Sequence, residues 1–581
     1  MKNRRGRQNG VALLVATVAV ISMIGLMLGL FYTSMADHKQ SQVNQAMIAA
    51  TALAEGATEQ GTRELLEASV SSLAMPTGGT FTVNGQTAVY TIAKRGDVVV
   101  GAAIEGIKSF QQQYLITSDA DSNGMHKRVQ KLVTVTSIPL FQFAIFYDKD
   151  LEILPGPSLT INGPVHTNGD MYLGTGSVLT LNTDYVRAVG HMYRRRNDND
   201  APTDGIVNIK VWGANKTEKM ETKKNLTIGS ISGFDSDFLG YDSNGDGDFD
   251  EKKDVASWTI GALDIWQGTV RSAEHGAIEI PAPKIETIKA FVPTAPGTGD
   301  YIYDPVTDKY VAVAPGTGDH DEGYYHDRAS LTVVDNKVYQ EDGAEITVWP
   351  DVDGDGTPDS PISESSFYDA REEKYVTVTN IDLSILGKSG YWPSNGLLYA
   401  YRSDATVAQP NGIRLTSADA LAGPLTVASE DPVYTLGDYN VGDKVSPKQP
   451  AAIMTDAFNV LSSSWDDSKV PGEALHHAHP TDLNVAIMTG THPTTDGSYN
   501  GGFENLPRFH EEWAGSPAEI RGSFVYAWDS EIAKGKWAYG DDRYTALSRD
   551  WDYDKDLDDP DNLPPFTPTV STLKRVLWIS R

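Results

Sequence analysis

The chain has 581 residues, of which 40% are hydrophobic, and its formal net charge is −30. This composition supports a large hydrophobic core and excludes a disordered chain. This excess of acidic over basic residues argues against nucleic-acid binding, which needs a basic surface. Cysteine is absent, so disulfides and thiol chemistry are excluded.

The first predicted element is a membrane-spanning helix. Four of the first ten residues are basic, and an uncharged, largely apolar stretch runs from Val11 to Tyr32. About 20 such residues, each rising 1.5 Å, cross the hydrocarbon core of a bilayer. Basic flanks stay on the cytoplasmic side of a membrane. The sequence therefore predicts a single-pass inner-membrane protein whose C-terminal domain lies outside the cytoplasm.

Three interpretations of this segment differ in where the chain is cut. A secretory signal would be removed near Ser34 to Ala36, where small residues offer a cleavage site. A plain membrane anchor would not be cut. A prepilin-type leader, residues 1–10, would be removed after Gly10 on the cytoplasmic side, leaving Val11 as the new N-terminus and the apolar helix in place.

The segment that follows the apolar stretch favours the leader. Apolar residues recur at steps of three and four from Val43 to Ala68, which is the pattern of an amphipathic helix. Pro76 and the glycines after it stop that helix. A secretory signal would not be fused to such a helix. The sequence therefore predicts one transmembrane and amphipathic, pilin-like helix over residues 11–75.

Four β-rich regions are predicted after this helix. Residues 76–150 contain β-branched and aromatic runs separated by turns, which predicts a small antiparallel sheet. Residues 151–195 form short runs punctuated by Gly or Asn, typical of a solenoid. Residues 196–390 are interpreted as an inserted β-rich region and residues 391–581 as a C-terminal β-rich domain. The predicted fold class is mainly β with a long N-terminal α-helix, and the large β domain is partly solenoid-like.

Several stretches resemble a known family. GVALL at residues 10–14, the apolar run after it and AEGA at residues 54–57 resemble the N-terminal segment of PilX-type pilus assembly proteins. The resemblance continues in GPVHTNGD at residues 163–170 and GGFENLPRFHEEW at residues 501–513. It covers the N-terminus and much of residues 140–190 and 395–581, and little of the middle.

This resemblance implies a processing site and a set of partners. Prepilin peptidase would cut after Gly10, Val11 would become the methylated N-terminus, and the helix would associate with other pilin-like subunits. Most major pilins of this kind carry a glutamate as the fifth residue after the cut, and Val15 stands there instead. The resemblance therefore implies a minor or tip subunit of a type IV pilus or a related secretion filament, on the pilus or cell surface after assembly.

Two acidic loops are predicted to bind structural calcium. Asp351, Asp353, Asp355 and Asp359 take positions 1, 3, 5 and 9 of a calcium loop, with Gly356 at position 6. The candidate ligands of the second loop are Asp242, Asn244, Asp246, Asp248 and Asp250. Oxygen ligands suit Ca²⁺ better than a transition metal. Both loops lack the glutamate usual at position 12, so an acidic surface turn without an ion is the alternative.

No other group of candidate metal-binding or catalytic residues in the sequence forms a complete motif. His476, His477 and His479 lie in a proline-flanked loop without a second pair of zinc ligands. His510 and Glu511 begin like a zinc-protease motif, but the second histidine is missing. No catalytic residue is therefore predicted, and the chain is not expected to be an enzyme. The alternative function is a membrane-anchored surface adhesin that is not assembled into a pilus and that would bind a surface or glycan ligand.

Overall fold

The fold is described from a computed structural model of the chain. The described residues are 5–70, 75–104, 107–222, 234–241, 256–290, 301–304, 309–312, 323–442, 447–495, 498–538, 540 and 543–580. Their α-helices are α1 (Arg5–Val70), α2 (Trp258–Trp266), α3 (Tyr324–Arg328) and α4 (Leu383–Lys388).

The described residues also form 34 β-strands. The first fifteen are β1 (Gly78–Val83), β2 (Gln86–Ile104), β3 (Ile107–Ser122), β4 (Met125–Pro139), β5 (Ile145–Tyr147), β6 (Leu151–Ile153), β7 (Leu159–Asn162), β8 (Val165–Thr167), β9 (Met171–Leu173), β10 (Val178–Asn182), β11 (Val186–Ala188), β12 (Met192–Tyr193), β13 (Ile206–Lys210), β14 (Thr217–Lys219) and β15 (Val270–Arg271). The others are β16 (Tyr301–Asp304), β17 (Lys309–Ala312), β18 (Leu331–Val334), β19 (Lys337–Gln340), β20 (Ile362–Asp369), β21 (Lys374–Asp382), β22 (Leu397–Tyr401), β23 (Gly412–Thr416), β24 (Leu425–Ser429), β25 (Val433–Leu436), β26 (Ala451–Thr455), β27 (Phe458–Leu461), β28 (Thr481–Asn484), β29 (Ala486–Thr491), β30 (Arg508–Phe509), β31 (Pro517–Gly522), β32 (Phe524–Asp529), β33 (Ser548–Tyr553) and β34 (Thr569–Ser580).

These elements confirm the predicted fold class, a mainly β protein with a long N-terminal helix. The chain divides into two compact units. The first consists of Met1–Val100, Phe110–Ser137 and Ser571–Arg581, and the second of Gly101–Ser109 and Ile138–Val570. The second unit is thus inserted between segments of the first.

Helix α1 has an exposed apolar half. Every side chain from Val11 to Gln45 is exposed, and no charged residue lies between Val11 and Asp37. Within the described chain, α1 supplies the one segment long and apolar enough to cross a membrane, and none of its most apolar part is buried. This half of α1 therefore contributes nothing to the core of the first unit.

The second half of α1 packs on an antiparallel sheet. That sheet has the strand order β1-β2-β3-β4-β34, and β1 with β2 and β3 with β4 are antiparallel pairs. Leu53, Ala57 and Leu65 of the helix are buried in the same cluster as Tyr90 of the sheet. A Cβ on Gly61 would lie 2.8 Å from the Tyr90 ring, so the helix needs a glycine there to lie this close to the sheet.

The second unit is built from stacked coils of parallel strands. Ile145 of β5, Val165 of β8 and Val186 of β11 lie side by side, which sets a repeat of 20 to 21 residues per coil. Each of these coils adds one strand to each of three sheets, as β5, β6 and β7 do in the first coil. The unit is therefore a parallel β-helix, which confirms the predicted solenoid-like part of the fold.

The order of strands in the longest sheet shows that the coils are permuted along the chain. This sheet runs β15-β11-β8-β5-β32-β29-β26-β24-β22-β18-β19. The chain begins to coil in the middle, at β5, and reaches one end of the sheet at β15. It resumes near the opposite end, at β18, and winds back until β32 pairs with β5. All coils advance in one direction along the axis, so the last coil stacks directly beneath the first.

After β15 the chain returns to the opposite end of the longest sheet, where β18 begins. The described part of this return segment lies along the coils. The backbone N–H of Ile280 donates to the side-chain oxygen of Asn168 at 3.0 Å. Further on, the Tyr399 hydroxyl donates to the carbonyl oxygen of Ile288 at 2.7 Å. Asn168 follows β8 and Tyr399 lies in β22, on opposite sides of the β5–β32 junction. Residues 280–288 therefore cross that junction.

Antiparallel hairpins end two of the sheets at the β18 end of the β-helix. Strand β19 pairs with β18 at the edge of the longest sheet, and β20 pairs with β21 at the edge of a second sheet. A sheet edge has unpaired backbone groups, and a hairpin is one way to end it. The loop between β19 and β20, residues 341–361, carries the first predicted calcium site.

Candidate metal site

The acidic loop is attached to the β-helix at its base. Trp349 is partly buried against the main core, and its ring lies 5.4 Å from that of Tyr391. The backbone N–H of Asp359 donates to the carbonyl oxygen of Pro350 at 2.9 Å, which brings the two ends of the loop together. Residues 351–359 between them are almost all exposed.

Two glycines fold the loop around Asp351. Gly354 and Gly356 have φ angles of 82° and 92°, in the left-handed region that favours glycine. Their N–H groups donate to the two carboxylate oxygens of Asp351 at 2.7 and 2.8 Å. Hydrogen bonds from Gly356 and Gly354 therefore hold the pKa of Asp351 below its usual value. Asp351 stays ionised and faces the interior of the loop.

Three of the four predicted ligands come together. One carboxylate oxygen each from Asp351, Asp353 and Asp359 lies within 4.8 Å of the others. Oδ2 of Asp359 accepts a hydrogen bond from the N–H of Val352 at 2.8 Å. Like charges at this separation repel one another, and a divalent cation between them would remove that repulsion. The three carboxylates therefore fit a hard cation such as Ca²⁺.

Asp355 takes a different orientation from the other three. Its carboxylate accepts hydrogen bonds from the N–H and hydroxyl of Thr357, and these lower its pKa. Glu364, the acidic residue two positions beyond position 12, accepts a hydrogen bond from Arg402 at 3.0 Å. Within the described residues, Asp351, Asp353 and Asp359 are thus the candidate ligands, with water or backbone carbonyls to complete the shell.

The other predicted site residues lie elsewhere or outside the described chain. Gly10 and Val11 lie in α1, and the Val11 side chain is 63% exposed. The five predicted ligands of the second loop, Asp242, Asn244, Asp246, Asp248 and Asp250, lie outside the described residues.

His510 and Glu511, which begin an incomplete zinc-protease motif, are buried in the structure, and the sequence did not predict this burial. His510 is 2% exposed, and its Nε2 donates a 3.0 Å hydrogen bond to Oδ1 of Asn459. The Glu511 side chain accepts from the N–H and hydroxyl of Ser462. His477, by contrast, is 80% exposed and pairs with Glu512. These residues therefore differ in burial, and no local sequence pattern indicates that difference.

The fold and the loop define a protein with an exposed apolar helix, a small antiparallel sheet and a parallel β-helix that carries an acidic loop. No protein-family model matches the chain, and no curated protein matches it. Among solved structures, the chain is similar to the competence-associated pilin ComZ from Thermus thermophilus. The two share 13% sequence identity over 92% of this chain and 97% of that chain, with a TM-score of 0.24. Membership of the PilX-type family stays a prediction.

Proposed function

We propose that the chain is a type IV pilin-like subunit, anchored by α1, that presents a calcium-stabilised β-helix outside the cytoplasm. One observation carries the proposal. A single unbroken helix has an exposed, uncharged apolar half and a second half that packs on the sheet of its own unit. The role is structural, and no catalytic step is assigned.

The exposed half of α1 needs an apolar environment. About 25 residues without a charge span roughly 37 Å as a helix, enough to cross a bilayer. Exposed apolar surface of this size marks a membrane or protein contact. The same surface serves both states of a pilin-like subunit, lipid before assembly and the helices of neighbouring subunits afterwards.

A minor or tip position is part of the proposal. Val15 is 60% exposed and stands at the fifth residue after the proposed cut. An apolar residue there cannot form an ion pair with the N-terminus of a neighbouring subunit. A subunit without that pair suits a position that few copies occupy, and the large β-helix suits the end of a filament.

The processing test measures the mature N-terminus. Mass spectrometry of the protein from cells with prepilin peptidase is expected to find a methylated Val11, and from cells without it the full leader. Gly10→Leu is expected to block the cut, while Gly6→Leu, in the same basic leader, leaves it in place. An uncut Met1 in both strains would support the membrane-anchored adhesin instead, and a start at Asp37 would exclude both.

The calcium test compares melting temperatures with and without EGTA. When the free Ca²⁺ concentration is ten times Kd, an ion that binds only the folded state adds about 1.4 kcal/mol to the free energy of unfolding. The Asp351→Asn/Asp353→Asn double variant is expected to show a smaller EGTA effect than the wild type. The control Glu341→Gln/Asp342→Asn, in the same exposed loop, keeps the full effect. Equal EGTA effects in the wild type and the double variant would overturn calcium binding by this loop.

A further inference from the structure

Two buried glutamates lie where the first coil of the β-helix meets the C-terminal half of the unit. Glu152 is in β6, the second strand of the first coil. Glu504 is in a 3₁₀ turn, Phe503–Asn505, that packs against β6 from the C-terminal half of the unit. Glu152 is 4% exposed and Glu504 is 3% exposed. Charged side chains are rarely buried to this extent unless they are paired.

The protein does not satisfy these carboxylates. One oxygen of Glu152 accepts from the N–H of Asn197 at 3.1 Å, and the other has no hydrogen-bond partner. Neither carboxylate oxygen of Glu504 has one. Arg549 donates to the backbone carbonyl of Glu504 rather than to its side chain, at 3.0 Å. Arg196 donates to Asp198 at 2.8 Å. Among the described residues, no cationic side chain forms an ion pair with either glutamate.

Oxygens of three residues face one small space beside Gly502. The position of a Cβ atom on Gly502 lies 2.9 Å from the Tyr499 hydroxyl, 3.0 Å from the carbonyl oxygen of Glu152 and 3.1 Å from Oε2 of Glu504. Gly502 has a φ of 68°, in the left-handed region, and carries no side chain into this space. A side chain at this position would fill the space between the oxygens.

Burial without a partner is costly for the ionised form of both groups. Burial raises the pKa of Glu504 and of Glu152 to about 7. The positive charge of Arg549 and nearby backbone amides, that of Leu154 among them, lower the pKa of Glu504 only in part. The backbone amide of Asn197 and the charge of Arg196 do the same for Glu152. Above neutral pH the junction would therefore hold two buried negative charges. A bound water can donate hydrogen bonds to them, whereas a metal cation would neutralise them without protonation.

We propose that Glu152 and Glu504 form a buried site for a hard divalent cation, with Ca²⁺ as the best match, that joins the first coil of the β-helix to the loop between β29 and β30. The ligands are the free oxygen of Glu152, the two oxygens of Glu504 and the carbonyl oxygen of Glu152, completed by water. An all-oxygen set with two carboxylates suits Ca²⁺. This site is independent of the exposed Asp351 loop and of the processing of the helix.

The test uses the full chain with both acidic loops disabled by Asp351→Asn, Asp353→Asn, Asp242→Asn and Asp246→Asn. Calcium added to the EGTA-treated protein at pH 8 is expected to raise its melting temperature. Adding Glu504→Gln or Glu152→Gln is expected to abolish that rise. Glu511→Gln is the matched control, because this glutamate is also buried but accepts two hydrogen bonds from Ser462 at 2.7 and 2.6 Å. It is expected to keep the rise.

The alternative is that protons alone neutralise the pair. In that case calcium would leave the melting temperature unchanged and Glu504→Gln would raise it at pH 8, and either result would overturn the proposal. Equilibrium dialysis gives a second measurement that does not depend on the folding of Glu504→Gln. The loop-disabled chain is expected to bind one more Ca²⁺ than the same chain with Glu152→Gln, and equal binding would also overturn the site.

Discussion

The Ser523 hydroxyl donates a 2.6 Å hydrogen bond to the carbonyl oxygen of Phe143, a residue 380 positions earlier in the chain. The next backbone N–H, of Phe524, donates to the carbonyl of Ala144 at 2.9 Å. Both contacts are buried and lie where β32 meets β5. The two halves of the β-helix are therefore held together by ordinary ladder hydrogen bonds, as any two successive coils are.

Gly522→Ala is expected to destabilise the second unit severely. Gly522 precedes this junction, and a Cβ there would lie 1.8 Å from the backbone carbonyl oxygen of Val485. The backbone of the adjacent coil must move to relieve that overlap, which costs about 3 kcal/mol, at the upper end for overpacked cores. Denaturant unfolding measures the loss. Gly156→Ala is the control, because no atom lies within 4 Å of its Cβ position. Equal losses in both variants would contradict the close approach.

Arg508→Met is expected to lower the free energy of unfolding by about 3–5 kcal/mol. Arg508 and Glu372 form an ion pair at 2.8 Å, with side chains 1% and 2% exposed. Without the guanidinium, Glu372 keeps a buried charge that has no ion pair. Adding Glu372→Met is expected to restore part of the loss, because it removes that charge.

A surface pair gives the control for this ion pair. Lys216 and Glu218 lie 3.1 Å apart but are 59% and 45% exposed. Lys216→Met is expected to change stability by less than about 1 kcal/mol. If Arg508→Met is as mild as Lys216→Met, the buried pair does not hold the β20–β21 turn against β30.

His166 is expected to make the protein sensitive to acid. It is fully buried, its Nδ1 and Nε2 lie 3.1 Å from the Tyr185 hydroxyl and 3.0 Å from Asn168 Oδ1, and burial lowers its pKa from 6.5 to about 4. Between these values the unfolded state binds more protons than the folded state. The stability contributed by neutral His166 is therefore present above about pH 6.5 and is lost as the pH falls through about 4.

Melting curves at pH 7.5 and pH 4.5 measure this effect. His166→Gln is expected to reduce the difference between the two melting temperatures, because glutamine does not titrate. His477→Gln, at a position 80% exposed, is expected to leave the difference unchanged. A His166→Gln variant as acid-sensitive as the wild type would contradict the neutral, buried state of His166.

Removal of residues 1–40 is expected to leave the melting temperature of the folded units unchanged within about 1 °C. The side chains from Val11 to Gln45 are exposed and give nothing to the core, which α1 enters only at Ala46. The truncated protein is also expected to lose membrane association, as flotation with vesicles would measure. A large fall in melting temperature would show that this half of α1 packs on the folded units.

Local patterns predicted the parts of the protein that local chemistry determines. The apolar run after Val11 predicted α1, and the spacing of acids and glycines around Asp351 predicted a loop that brings carboxylates together. The permuted order of the coils could not be predicted, because the pairing of Ile145 with Phe524 leaves no signal near either residue. The same is true of Glu152 and Glu504, which become a pair only when the C-terminal half of the β-helix meets its first coil.

The pairing of β5 with β32 also determines the order in which the β-helix can fold. The ribosome makes β5 before the other strands of the β-helix, but β32, which covers one side of β5, is among the last segments to be made. Until then the early coils expose an open row of backbone donors and acceptors, which invites aggregation. Closure across so long a loop is slow, since distant contacts form only after the entropy of the loop is lost. A chain that stops before β32 would keep this edge open, so the two halves of the β-helix join only after β32 has been made.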